Sequence, residues 1–174
     1  IRHCAASAAV LHYPCTHMDM VRPGIALYGH YPDPGCEGLD GPGLKPVMSL
    51  FSRVAAVRDF PAGTPVSYGC TASFGGAGGR TAVLPIGYAD GLHRTLSNQG
   101  SVWLDGQPRP IMGRVCMDLC MIGLDGEAEV RPGDVAEIFG ERLPVEGQAE
   151  LAGTISYELL TAVAPRVPRI YKDA

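Results

Sequence analysis

Apolar positions in this chain come in short runs separated by glycine- and proline-marked breaks. Beyond residue 46 the runs fall at 47–59, 65–70, 80–87, 101–104, 109–113, 115–124 and 134–139. Short runs at turn-separated intervals predict a sandwich or barrel of small strands. Asp105-Gly106, between SVWL and QPRPIM, predicts a hairpin turn, because glycine tolerates positive φ there. Two stretches have a different period. Residues 3–12, HCAASAAVLH, are alanine-rich, begin near Ser7 and stop before Pro14, predicting a short helix. In residues 147–163, Leu151, Ile155, Leu159, Leu160 and Val163 recur near helical spacing. Gly153 costs about 1 kcal/mol inside a helix, so one helix or two short ones meeting there are both open. Residues 20–29, MVRPGIALYG, read as a strand end, a sharp turn and the start of a helix or loop. From Tyr31 to Pro46, prolines, glycines and acids alternate with hardly any apolar period, predicting a linker and a division into 1–43 and 44–174.

Composition narrows this picture. A chain of 174 residues suits one domain, or one domain with the remnant of another, and has no room for two complete enzyme domains. With 46% hydrophobic and 18% charged residues it can bury a sizeable core. Gly 23 and Pro 15 suit tight turns between strands, so the expected fold class is mainly β. A net charge of -4 offers no basic face for nucleic acid. No apolar run approaches the ~18 residues of a membrane helix, so no membrane partner is expected. Ile1-Arg2-His3-Cys4 lacks an initiator methionine and the layout of a signal peptide, and reads as a chain cut from a longer one. The six cysteines include no C-x-x-C and no zinc-type spacing. They are expected to be reduced thiols in a cytoplasmic protein, with no metal site.

Candidate chemistry sits at the breaks. Tyr68 in VSYG and Tyr88 in IGYADG interrupt strands, GRVCMD (113–118) follows one, and TISYE (154–158) opens a helix. A tyrosine in such a place is more often a half-buried residue with its hydroxyl satisfied, but four polar break points on one small domain suggest a site. Arg22 precedes Pro23-Gly24-Ile25, and a turn feeding a helix start exposes N–H groups that favour an anion such as phosphate. Ser7 can add a hydroxyl to the same anion. No Walker loop, G-x-G-x-x-G or G-x-S-x-G motif occurs to suggest a nucleotide or hydrolase site.

Taken in order, HCAASAAVL, MDMVRPGIALYG, PVSYG, LPIGYADGLHR, GRVCMDLCM and AGTISYELLT followed by PRVPRIY resemble the C-terminal part of the alanine racemase family. These are enzymes of pyridoxal 5'-phosphate (PLP). The resemblance implies that residues 1–43 are the last pieces of a PLP-binding (β/α)8 barrel and that 44–174 form a barrel-like β domain. It also implies a cytoplasmic head-to-tail homodimer that interconverts L- and D-alanine for peptidoglycan, each site combining the barrel of one subunit with the β domain of the other.

Residue by residue, Tyr68 matches the tyrosine acid/base, which works with a PLP lysine on the opposite face of the substrate. Arg22 matches the donor to the pyridine nitrogen. Ser7, Gly24, Ile25 and Tyr157 match the phosphate contacts. Met117, through its backbone, matches the group that binds the substrate carboxylate, and Tyr88 and Asp118 match residues lining the substrate access path. Departures are also visible. Lys45 and Lys172 are the only lysines, and neither lies in a motif resembling the PLP-lysine segment. Ala6 stands where relatives typically have asparagine, and Cys70 where arginine is common. Other readings are a serine or broad-specificity racemase, or a non-catalytic dimerisation module of the same fold.

Overall fold

The computed structural model describes residues 1–33, 35 and 43–172. Cys36 and half of the expected linker lie outside the described residues. The chain divides into two compact units, Ile1–Met48 and Ser49–Ala174.

In the first unit, two extended segments lie side by side in parallel. Asp19 N donates to Arg2 O (3.1 Å), Arg22 N to Ala5 O (2.8 Å), and Ala6 pairs with Arg22. Parallel neighbours need a crossover, and α1 (Ser7–His12) provides it. Pro14 cannot continue that helix and opens a 3-10 turn, Pro14–Thr16. After Arg22 the chain turns through Gly24 into a second 3-10 turn, Ile25–Tyr28.

The second unit is built from β1 (Leu50–Arg53), β2 (Ala56–Phe60), β3 (Pro65–Val66), β4 (Ala72–Ser73), β5 (Gly79–Leu84), β6 (Ser101–Leu104), β7 (Gln107–Pro110), β8 (Cys120–Leu124) and β9 (Val135–Phe139). Helices α2 (Val145–Ala152) and α3 (Ser156–Ala162) follow. The sheets are β1-β9-β6-β7, β2-β5-β8 and β3-β4, every named strand pairing being antiparallel. The fold is mainly β, and its sheets stay open. Two features nevertheless bring the larger sheets together in a barrel-like way. A bridge between Ile111 and Ile122, with Met112 N donating to Met121 O (2.8 Å), links the end of β7 to β8. At Val54-Ala55 the chain passes from one sheet to the other, since Val54 N bonds Asp134 O (2.9 Å) and Ala55 N bonds Val83 O (2.8 Å). The single apolar run 47–59 therefore folds as two strands.

Alternation fixes which face is buried. Cys120, Ile122 and Leu124 of β8 point inward, as do Val102 and Leu104 of β6 and Ala82 and Leu84 of β5. Each large apolar side chain so covered contributes about 1.5–3 kcal/mol. Asp105 and Gly106, at φ 56° and 75°, form the expected two-residue turn between β6 and β7. Arg109, almost wholly buried, ties this hairpin to the end of β8 through Asp105 (3.2 Å) and Asp125. The 147–163 segment forms two helices separated at Gly153-Thr154-Ile155. Among the described residues, no helix is long and apolar enough to cross a membrane, and no cluster of His, Cys, Asp and Glu could hold a metal.

Candidate functional site

Tyr68 is presented by an unusual backbone. Ser67 lies at φ 64°, ψ -177°, a region nearly reserved for glycine that costs a serine roughly 1–3 kcal/mol. Its hydroxyl donates to Arg114 O at 2.7 Å, tying this bend to the 113–118 loop. The two segments approach closely at Gly113, where a Cβ would stand 2.7 Å from Ser67 Cβ and 2.8 Å from Val66 O. Asn98 Oδ1 accepts from Gly113 N at 2.6 Å and supports that approach from behind. Tyr68 projects outward from the bend, with 74% of its surface exposed. Arg114 lies along the next peptide, its guanidinium 3.5 Å from where a Cβ on Gly69 would be.

A second close approach builds the opposite wall. Tyr88 N and Ala89 N donate to the carbonyls of Cys116 and Met117, both at 3.0 Å. Only glycine fits at position 87, because a Cβ would lie 2.2 Å from Cys116 O and 2.4 Å from Met117 O. These bonds hold both carbonyls toward the 87–89 loop, while the Met117 N–H has no acceptor among the described residues. The result is a cleft of about 540 Å³ lined by Tyr68, Tyr88, Arg94, Arg114, Met117 and Asp118, among others. This is a suitable size for a small molecule. Neither Arg94 nor Arg114 forms an ion pair among the described residues, so the cleft presents uncompensated positive charge. Asp118 pairs with Arg166 at 2.5 Å. That arginine also bonds Asp90 at 2.7 Å, and the two carboxylates raise its pKa further, Asp90 more than Asp118. Cys120 lies behind the cleft, where burial pushes its thiol up to about 12.

The first unit gathers a different donor set. Ser7 Oγ, buried, accepts from Gly24 N (2.9 Å) and Ala26 N (3.3 Å), which leaves its own hydrogen to donate. The Ile25 N–H, first in its 3-10 turn, is an orphan donor. Space beside Gly24 is open, with nothing within 4 Å of a built Cβ. Arg22 is exposed and donates one bond, to Cys4 O at 3.3 Å. Such a set, donors without a carboxylate, suits an anion or a basic ring nitrogen.

Ser7, Arg22, Gly24 and Ile25 thus come together in the first unit, and Tyr68, Tyr88, Met117 and Asp118 in the second. Tyr157 is half-buried in the first turn of α3, outside the lining of the cleft. Arg94, Arg114, Asp90 and Arg166 were not singled out from the sequence. Their only linear trace is an arginine or acid within the glycine- and proline-marked segments GYADGLHR, GRV and PRVPR.

Residues 47–171 match the family Alanine racemase, C-terminal domain, and residues 1–32 match Alanine racemase, N-terminal domain. These are the two domains of one class of racemase. The alanine racemase of Desulforamulus reducens is 46% identical over 174 residues, covering 98% of this chain and 46% of the relative. The alanine racemase from the D-cycloserine-producing Streptomyces lavendulae is 39% identical with a TM-score of 0.92, covering 100% of this chain and 46% of that one. The Bacillus anthracis alanine racemase with bound L-Ala-P gives 36% identity and a TM-score of 0.92, over 98% of this chain and 44% of that one. The chain belongs to the alanine racemase family, and it spans about half the length of these relatives.

Proposed function

We propose that this chain is the C-terminal portion of a cytoplasmic, PLP-dependent alanine racemase that interconverts L- and D-alanine for peptidoglycan, with residues 1–43 belonging to the PLP barrel and 44–174 to the β domain. Tyr68 serves as the acid/base of a site in the partner subunit of a head-to-tail homodimer. The observation that carries this reading is the outward, backbone-locked presentation of Tyr68 at a cationic cleft. A phenol fixed this way can reach a proton on another polypeptide.

The donors in the first unit fit the anchoring end of the cofactor. Ser7, Gly24 and Ile25 would hold the phosphate, and Arg22 would donate to the ring nitrogen. PLP, when bound, supplies the electron sink that loosens the substrate α-hydrogen. Arg22 limits that sink, because a guanidinium does not surrender its proton to the ring. Nothing in this chain fits covalent attachment: Lys45 lies at the end of the first unit and Lys172 near the terminus. The lysine comes from the remainder of the barrel.

Racemisation needs a proton taken from one face and another returned to the opposite face. Tyr68 Oη holds or accepts the proton on its face, and the lysine acts on the other. The free Met117 N–H receives the substrate carboxylate, which orients the α-carbon toward Tyr68. Tyr88 and Asp118 line the access path, and Arg94 and Arg114 favour an anionic substrate end in the same cleft.

Tyr68→Phe in the full-length protein tests the assignment. A lost general acid/base should lower turnover of both enantiomers about 10²- to 10⁴-fold, followed by circular dichroism of the alanine product. Unchanged turnover in both directions would show that Tyr68 is not the base. A substrate panel that included serine would show whether alanine is preferred.

A further inference from the structure

Arg166 stands at the junction of the two loops that build the carboxylate-binding wall. Its Nε donates to Asp90 Oδ1 (2.7 Å) and one Nη to Asp118 Oδ1 (2.5 Å). Asp90 is largely covered, and its other oxygen accepts from Gly87 N at 2.9 Å, so the same carboxylate organises the turn preceding Tyr88. The Asp90 carbonyl accepts in turn from Ala164 N at 3.1 Å, which seats this loop against the end of α3. Arg169 folds the post-helical turn by donating to the carbonyls of Val163, Ala164 and Val167 at 2.7–2.8 Å. Arg166 is therefore held out toward the two acids.

Charge gives this geometry a purpose. Asp118 adjoins Met117, the residue whose amide is left free in the cleft. An unpaired carboxylate at 118 would repel an incoming substrate carboxylate, and Arg94 and Arg114 do not pair with it. One guanidinium, shared with Asp90, offsets part of that charge and holds the 87–90 and 116–118 loops in register.

We infer that Arg166 is a positioning residue for carboxylate recognition: by clamping Asp90 to Asp118 it keeps the Met117 amide open and the neighbouring carboxylate paired. This rests on the racemase reading for its substrate, but the clamp itself can be tested separately.

In the full-length PLP-loaded protein, Arg166→Ala should raise KM for both alanine enantiomers about fivefold, the loss of an interaction near 1 kcal/mol. Turnover at saturation should change less than about twofold, because uniform binding is what is lost. Arg166→Lys should fall between, since an ammonium lacks the two-pronged fork. Adding Asp118→Asn to Arg166→Ala should lower KM again by removing the unpaired charge. A fall in kcat with unchanged KM, or no recovery in the double variant, overturns the inference.

Hydrogen exchange supplies the second readout. The Tyr88 and Ala89 amides, bonded to the 116 and 117 carbonyls, should exchange about tenfold faster in Arg166→Ala. Unchanged protection there overturns the clamp. If the unsubstituted protein does not racemise alanine, the racemase reading fails, and the exchange experiment still decides the clamp.

Discussion

The two units of this chain bury their side chains to very different degrees. Ser49–Ala174 closes over a core of its own, with Leu84, Leu104, Ile111 and Ile122 essentially inaccessible. Ile1–Met48 buries Ala5, Ser7 and Ile25, yet Ile1, Met18, Met20, Val21, Leu27 and Tyr28 remain exposed. Apolar exposure on that scale marks surface meant to be covered. The second unit carries its stability internally, whereas the first carries chemistry on a scaffold with little core. The anion-type donors around Ser7 and the exposed Tyr68 thus rest on unequal foundations.

Core truncation should expose this contrast most strongly. Ile122→Ala removes a side chain at the centre of β8 and should lower unfolding stability by about 2–5 kcal/mol, measured by chemical denaturation. A loss below about 1 kcal/mol would mean that the second unit does not hold the chain together.

Alkali should act next, and through the same unit. Cys120 in the folded protein keeps its proton up to about 12, because burial disfavours the thiolate. The unfolded chain releases it near ~8.5. Between those values the folded state binds more protons, so stability should fall as pH rises, by about 1.4 kcal/mol per unit from this group. Below pH ~8 it contributes no slope. Comparing denaturation of the parent and Cys120→Ala between about pH 8.5 and about pH 10, roughly 1.5 units of the window, isolates the effect. Equal slopes would remove Cys120 from the account.

The smallest effect belongs to the first unit. Leu27→Ser replaces an exposed side chain and should change unfolding stability by no more than about 0.5 kcal/mol, while reducing self-association seen by sedimentation. A large destabilisation would show that Leu27 is packed in solution.

Much of the β unit was legible in the linear pattern, because alternation in SVWL, AVLPI and CMIGL records which face is buried. The Asp105-Gly106 turn followed from local backbone preference, whereas the pattern left one helix or two open at Gly153, where the structure has two. Residues 115–119 were not so readable. Val115, Cys116, Met117 and Leu119 look like a strand, but the 116 and 117 carbonyls bond Tyr88 and Ala89, and the strand begins only at Cys120. The two-residue pair β3-β4 is too short to leave a period. At the site, the motif segments brought out Tyr68, Tyr88, Met117 and Asp118, but no local rule places Arg166 beside acids 76 and 48 residues away. Long-range charge pairing is a property of the folded topology, not of any window of sequence.

Ser67 links stability to reactivity in a way that would matter to anyone improving this protein. Its left-handed bend is relieved by glycine, so a screen that rewards thermal tolerance should favour Ser67→Gly. The same change deletes the hydroxyl that tethers the bend to Arg114 O. Variants hardened against heat by this route would carry a looser phenol, and the proton transfer proposed for Tyr68 would slow even though every residue of the cleft lining remained in place.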